Sequence, residues 1–189
     1  MEKLLQNALA EGETLLWKGR PEPFEPMDKT YKDKIIKSTI KAFVIAIILT
    51  VAYILTARYC EVKASAVLIF VFYLCAFCVP YNNYKDVMDL RKKVIYAITD
   101  ERMITVVDSA KSVDYCHVPE VTFRTDEDGH VSLLCGHDAM NSEPTNWRFA
   151  SVSGVVMDES NDFCESYVMY NIPEVDKVKD ILSKYVKVV

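Results

Sequence analysis

Ala42-Phe-Val-Ile-Ala-Ile-Ile-Leu-Thr-Val-Ala-Tyr-Ile-Leu-Thr-Ala57 and Ala64-Ser-Ala-Val-Leu-Ile-Phe-Val-Phe-Tyr-Leu-Cys-Ala-Phe-Cys-Val-Pro-Tyr81 carry no charge and are separated only by Arg58-Tyr-Cys-Glu-Val-Lys63. A bilayer core is about 30 Å thick and takes roughly 20 helical residues to cross. The second run nearly meets that length alone. The first meets it if Lys37 and Lys41 lay their methylene stems along the helix and hold their ammonium groups at the interface, extending the span back to about Ile35. The pair reads as a transmembrane helical hairpin, about 35–59 and 64–84, inside a segment 34–90.

Charge orients that hairpin. Five lysines lie between Lys29 and Lys41, and Lys85, Arg91, Lys92 and Lys93 follow the second run, whereas the loop holds only Arg58 and Lys63. The positive-inside rule then predicts a multi-pass protein of the inner (plasma) membrane with both termini cytoplasmic. The first ten residues reach Glu11, Gly12 and Glu13 before any long apolar core forms, so no cleaved leader is expected. With 189 residues, the chain has room for the hairpin and a soluble unit of about 100 residues. On this topology Cys116, Cys135 and Cys164 face a reducing space and Cys75 and Cys78 lie in the bilayer, so structural disulfides are not expected. Cys60 alone could meet an oxidising space, as an unpaired interfacial thiol or in a disulfide across a dimer.

Outside the hairpin the periodicity changes. Leu4, Leu5, Ala8 and Leu9 have helical spacing, fitting a short helix packed on the soluble unit or on the membrane surface. Gly12 to Arg20 reads as a strand, and Pro21, Pro23 and Pro26 enforce an extended linker, so 1–33 forms an amino-terminal segment. Pro80 is placed to bend or close the second membrane helix. Val94–Thr99 and Met103–Val107 surround a short charged turn, and Val121–Thr125 and Val131–Cys135 surround Asp126-Glu-Asp-Gly129, where Gly129 supplies positive φ; both read as β-hairpins. Further strands are expected at Ser112–Val118, Asn146–Ala150 and Cys164–Tyr170, and an amphipathic helix over about 173–186. The unit 91–189 thus has six or seven strands followed by one helix.

The order of these parts, with the box Gly12-Glu13-Thr-Leu-Leu-Trp17-Lys-Gly19-Arg20-Pro21 and the opening Tyr96-Ala-Ile-Thr99-Asp100-Glu-Arg102-Met-Ile, resembles the bacterial membrane-anchored proteins with a pleckstrin-homology-like (PH-like) domain. The resemblance implies an α+β membrane protein whose hairpin carries a cytoplasmic PH-like β-sandwich or open barrel capped by a carboxy-terminal helix. It implies no general enzymatic activity. Residues 136–159 fall outside it.

Recognition of phosphoinositides, the obvious inference from such a fold, is opposed by charge. Residues 94–189 hold 8 Lys and Arg against 17 Asp and Glu, and an acidic unit is repelled by an anionic leaflet. Lys85, Arg91, Lys92 and Lys93 are the candidate headgroup contacts, and they equally suit a nonspecific juxtamembrane anchor. Trp17 and Arg20 suit docking, Trp17 in an apolar groove and Arg20 on a carboxylate or lipid phosphate; Arg102 is expected to pair with an acid and pin its hairpin. Cys116, His117, Cys135, His137 and Cys164 do not read as a metal set, because strand neighbours such as Cys116 and His117 point to opposite faces. Cys75 and Cys78 read as small residues filling a helix interface, and Asp126-Glu127-Asp128 and Asp158-Glu159 with Asp162 as solvated loops.

No nucleophile elbow, phosphate loop or His-Glu-x-x-His occurs, so neither catalysis nor a cofactor is expected. The favoured expectation is an interaction domain that binds another protein or a second copy through strand edges and the amino-terminal box, with no nucleic acid or specific small molecule as partner. The alternative is a sensor of anionic headgroups. A small membrane enzyme using Asp126, Asp128, His130 or Cys116 ranks last.

Overall fold

The computed structural model describes residues 2–158, 160 and 162–189. The chain divides into two units: Tyr31–Lys85, and the remainder formed by both ends of the chain, up to Thr30 and from Asp86. The architecture is mixed α+β, with two long apolar helices and two open sheets.

The unit formed by both ends begins with α1 (Glu2–Ala8) and β1 (Leu15–Gly19), and takes in the first two residues of α2 (Lys29–Tyr59) and the last turns of α3 (Ala66–Lys92). Then come β2 (Ile95–Thr99), β3 (Arg102–Val106) and β4 (Ala110–Asp114), which with β1 make an antiparallel sheet in the order β1-β2-β3-β4. Every residue of β2 is buried, more than a half-solvated strand allows. The reason is that both faces are covered. Ile95 and Ala97, paired with Val106 and Ile104, form one face and pack under Leu5 of α1, with Leu9 beside it. On the opposite face the Tyr96 hydroxyl accepts from the Tyr170 amide at 2.9 Å, and the Thr105 and Tyr167 hydroxyls are 2.8 Å apart. Of the two sites open to α1, the sheet is the one it occupies.

A 3-10 turn (Tyr115–His117) leads to β5 (Glu120–Thr125) and β6 (Val131–Cys135), followed by α4 (His137–Asn141), α5 (Pro144–Ser153), β7 (Val156–Met157), β8 (Cys164–Met169), α6 (Val175–Leu182) and β9 (Lys187–Val188). The second sheet runs β7-β8-β6-β5-β9, antiparallel except for the β5–β9 pair. The β5–β6 hairpin pairs Thr125 with Val131 beside its turn, where Gly129 adopts the expected positive φ, +89°. Gly136, at φ +88°, lies so close to the Cys164–Glu165 backbone that a Cβ would meet its atoms at 2.4 Å.

Several elements differ from expectation. Asn146–Ala150 is helical, within α5: Pro144 starts the helix, and Trp147 and Ser151 bury one face at i, i+4, a period that a five-residue aromatic stretch is too short to display. Ser112–Val118 is not one strand, because β4 ends at Asp114 and gives way to the 3-10 turn. The last helix stops at Leu182, and Lys187–Val188 instead adds a parallel strand beside β5. Asp162 is exposed, whereas Glu159, read with it as a loop, lies outside the described residues.

The other unit contains most of α2 and α3. At about 1.5 Å per residue, the complete helices are about 46 and 40 Å long, enough for a bilayer core. Pro80 lies inside α3 and does not end it. Ala46 and Ala76 are buried where the two helices pack, which is what small side chains permit; Cys75 lines the groove between the helices beside them, and both Cys75 and Cys78 are exposed. The Tyr53 ring meets Phe72 edge-on at 6.3 Å, and its hydroxyl accepts from the Ser65 amide at 2.9 Å.

Candidate functional site

Glu13, at the start of the amino-terminal box, is the centre of one polar cluster. Its side chain is 0 % exposed, so its charge must be met inside the protein. Arg102 donates from Nε to Oε1 at 2.9 Å and from Nη2 to Oε2 at 2.8 Å; the Thr99 hydroxyl and the Ala10 amide add bonds of 2.7 Å each. The Arg102 hydrogen bonds are the leading reason that the Glu13 carboxyl titrates at about 2, despite burial that pushes it up. Arg102 also donates to the Ala8 carbonyl at 2.9 Å, at the end of α1. Arg102 therefore binds the amino-terminal segment to the β2–β3 hairpin.

Trp17 faces inward, 4 % exposed, with its indole N–H donating to Glu174 at 3.2 Å. Its ring lies over Gly19, where a Cβ would meet it at 2.4 Å, so glycine makes room for the indole. Arg20 is exposed; Lys18, and more weakly Arg20, hold the Glu2 carboxyl below its usual range. Of the basic group, Lys85, Arg91 and Lys92 are exposed, whereas Lys93 lies 2.9 Å from Asp89 and 3.4 Å from Asp108. The structure thus brings Trp17, Arg102 and Lys93 into intramolecular contacts and leaves Arg20, Lys85, Arg91 and Lys92 at the surface.

A second cluster surrounds the proline linker. Phe24 is buried beneath the Arg148 guanidinium, 4.4 Å from its ring centre, and meets Tyr170 edge-on at 5.3 Å. Arg148, 3 % exposed, pairs with Asp28, donates to the Pro26 carbonyl at 3.3 Å and reaches the Tyr170 hydroxyl at 3.0 Å. The solvated turn expected at Asp126–Asp128 is corrected here. Asp126 is buried, and its carboxylate accepts from the His130 and Asp128 amides, the His130 ring and the Tyr170 hydroxyl. Asp128 accepts from the Lys29 amide at 3.2 Å and from the Thr30 amide and hydroxyl at 2.8 and 2.6 Å. Burial raises its pKa, but those bonds prevail and hold the carboxyl below its usual range. A turn that reads as solvent-facing in fact caps the first turn of α2.

The sequence reading missed Glu13, Phe24, Asp28, Arg148 and Tyr170. Their bonds join residues as far apart as 122 positions, and no local pattern marks such pairs. The disjointed Cys116 and His117 are also corrected: on the 3-10 turn, ligand atoms of Asp114, Cys116 and His117 all lie within 4.8 Å of one another. Cys135 and Cys164 are buried and His137 is exposed beside Asp138, apart from that group. At the opposite side from β2, β3 has β4 as its neighbour, and among the described residues no further strand pairs with β4.

No family model matches the chain, and no curated protein or solved structure matches it.

Proposed function

We propose that the chain is a noncatalytic membrane-anchored interaction protein. The α2–α3 hairpin crosses the inner membrane with both chain ends cytoplasmic, and the β unit is a PH-like domain that binds another protein or a second copy. Support for anchoring comes from exposure: only 11 % of the most apolar stretch of α2 and 6 % of that of α3 are buried, whereas core helices of a soluble unit hide their apolar residues. The PH-like reading draws on the four-stranded antiparallel sheet facing a second sheet, with α6 after the last long strand.

The single observation that carries the interaction reading is the five-residue outer edge of β4. Trp17 and Arg102 are engaged within the chain, which leaves Arg20 of the amino-terminal box and the strand edges as external contacts. Such an edge exposes a ladder of backbone donors and acceptors, and β4 has few of the charges that guard edges: Lys111 turns to the Ser153 carbonyl and only Asp114 adds a carboxylate. The second reading, a sensor of anionic headgroups, has the exposure of Lys85, Arg91 and Lys92 in its favour.

A photo-crosslinking residue at Ala110, used in native membranes with and without Arg91→Gln and Lys92→Gln, separates the two. A reproducible protein adduct, or a dimer of the chain, that persists after charge removal supports the interaction reading. A lipid adduct alone, lost with the charges, replaces it with the lipid reading.

A further inference from the structure

Among the described residues, two groups in the β unit bring three metal-type ligands together: Asp28 with Asp128 and His130, and Asp114 with Cys116 and His117. The first is chemically occupied. Asp28 pairs with the Arg148 guanidinium, a cation beside the ligand set, and Asp128 already accepts three hydrogen bonds from Lys29 and Thr30. A metal ion there would have to break the contacts that hold the linker and the start of α2.

We propose that the second group, Asp114, Cys116 and His117, is a binding site for a zinc-class divalent transition metal. The donor set is one thiol, one imidazole and one carboxylate, the mixture that zinc takes in preference to calcium or magnesium. Ligands about 2.0–2.3 Å from a tetrahedral zinc lie roughly 3.3–3.8 Å apart, so a group already within 4.8 Å needs movements of about an ångström. Asp114 and Cys116 are exposed and can make such movements.

The imidazole is also oriented. His117 Nδ1 lies 2.6 Å from the Asp162 carbonyl oxygen, an acceptor only, so Nδ1 carries the proton. In the neutral ring Nε2 then keeps its lone pair for the metal, the arrangement by which a second contact sets the tautomer of a ligating histidine. Asp162 also brings its carboxylate to 3.5 Å from Nδ1, and the surrounding unit is acidic, which favours a cation. The loop bearing Asp162 thus supplies an outer contact from a part of the chain 45 residues away. The site does not depend on the interaction reading above.

The test uses the full chain, reduced and metal-free in detergent, titrated with Co2+ and then with Zn2+. We expect saturable binding of one Co2+ per chain, with a thiolate-to-cobalt charge-transfer band that Zn2+ displaces. Cys116→Ser should abolish the band, His117→Gln should weaken binding by roughly tenfold or more, and Cys60→Ser and His130→Gln should leave it unchanged. In the unaltered protein, Zn2+ should slow alkylation of Cys116 but not of Cys60, a readout that requires no variant to fold. Absence of saturable binding, a band that survives Cys116→Ser, or alkylation of Cys116 indifferent to Zn2+ would overturn the site.

Discussion

The Glu13–Arg102 pair shows how much depends on a contact between two distant residues. The Glu13 side chain is shielded from solvent and meets the Arg102 guanidinium through two parallel bonds of 2.9 and 2.8 Å. Arg102→Ala would strand the carboxylate, a change that costs on the order of 3–5 kcal/mol, while Glu13→Gln keeps a hydrogen-bonding amide and should cost less; thermal unfolding of the two variants checks that order. The pH dependence follows from the lowered Glu13 pKa. Because the folded pKa of about 2 is below the ordinary 4.5, the pair's contribution is complete above about pH 4.5 and is lost as pH falls toward 2. Unfolding curves of wild type and Glu13→Gln should therefore converge across that window; a constant gap between them would contradict it. Arg102 could be expected from sequence to seek an acid, because it follows directly on a turn. Glu13 could not be named as that acid, since 89 residues separate the two.

Among the elements, β-rich runs around turn residues made the two hairpins legible and apolar length the two long helices. The β2–β3 and β5–β6 hairpins lie where β-rich runs flank turn residues, and charge-free runs of this length leave few structures but helices. Short segments misled for a physical reason: over five residues, Asn146–Ala150 fits a strand or a helix, and burial of Trp147, Arg148 and Ser151 on one face decides for α5. The 3-10 turn at Tyr115–His117 is similarly invisible to propensity, yet it alone lets Cys116 and His117 share a site. Asp128 acts at this scale too, as a cap supplied from another element. Asp128→Ala should destabilise the fold by about 1 kcal/mol, with Asp128→Asn milder, and hydrogen exchange at the Thr30 amide should accelerate. For α1, Leu5→Ala removes the side chain over Ile95, Ala97, Ile104 and Val106 and should cost about 2–3 kcal/mol in unfolding free energy. If α1 contributed nothing to the sheet, unfolding would be unchanged.

For the molecule as a whole, the proposal joins two chemistries: a hairpin whose exposed surface is aliphatic and aromatic, and an acidic β unit whose polar clusters hold its own amino-terminal segment and linker in place. The proposed cytoplasmic placement of the β unit rests on the basic residues flanking the hairpin, against two in its loop. Cys60 in the loop and Cys116 in the β unit are both exposed thiols, so they report the two sides directly. The decisive measurement is labelling with a membrane-impermeant maleimide in intact and permeabilised cells, on variants that keep only Cys60 or only Cys116. With both chain ends cytoplasmic, Cys60 reacts in intact cells and Cys116 only after permeabilisation. Reaction of Cys116 in intact cells, or a Cys60 that reacts only after permeabilisation, would contradict that placement.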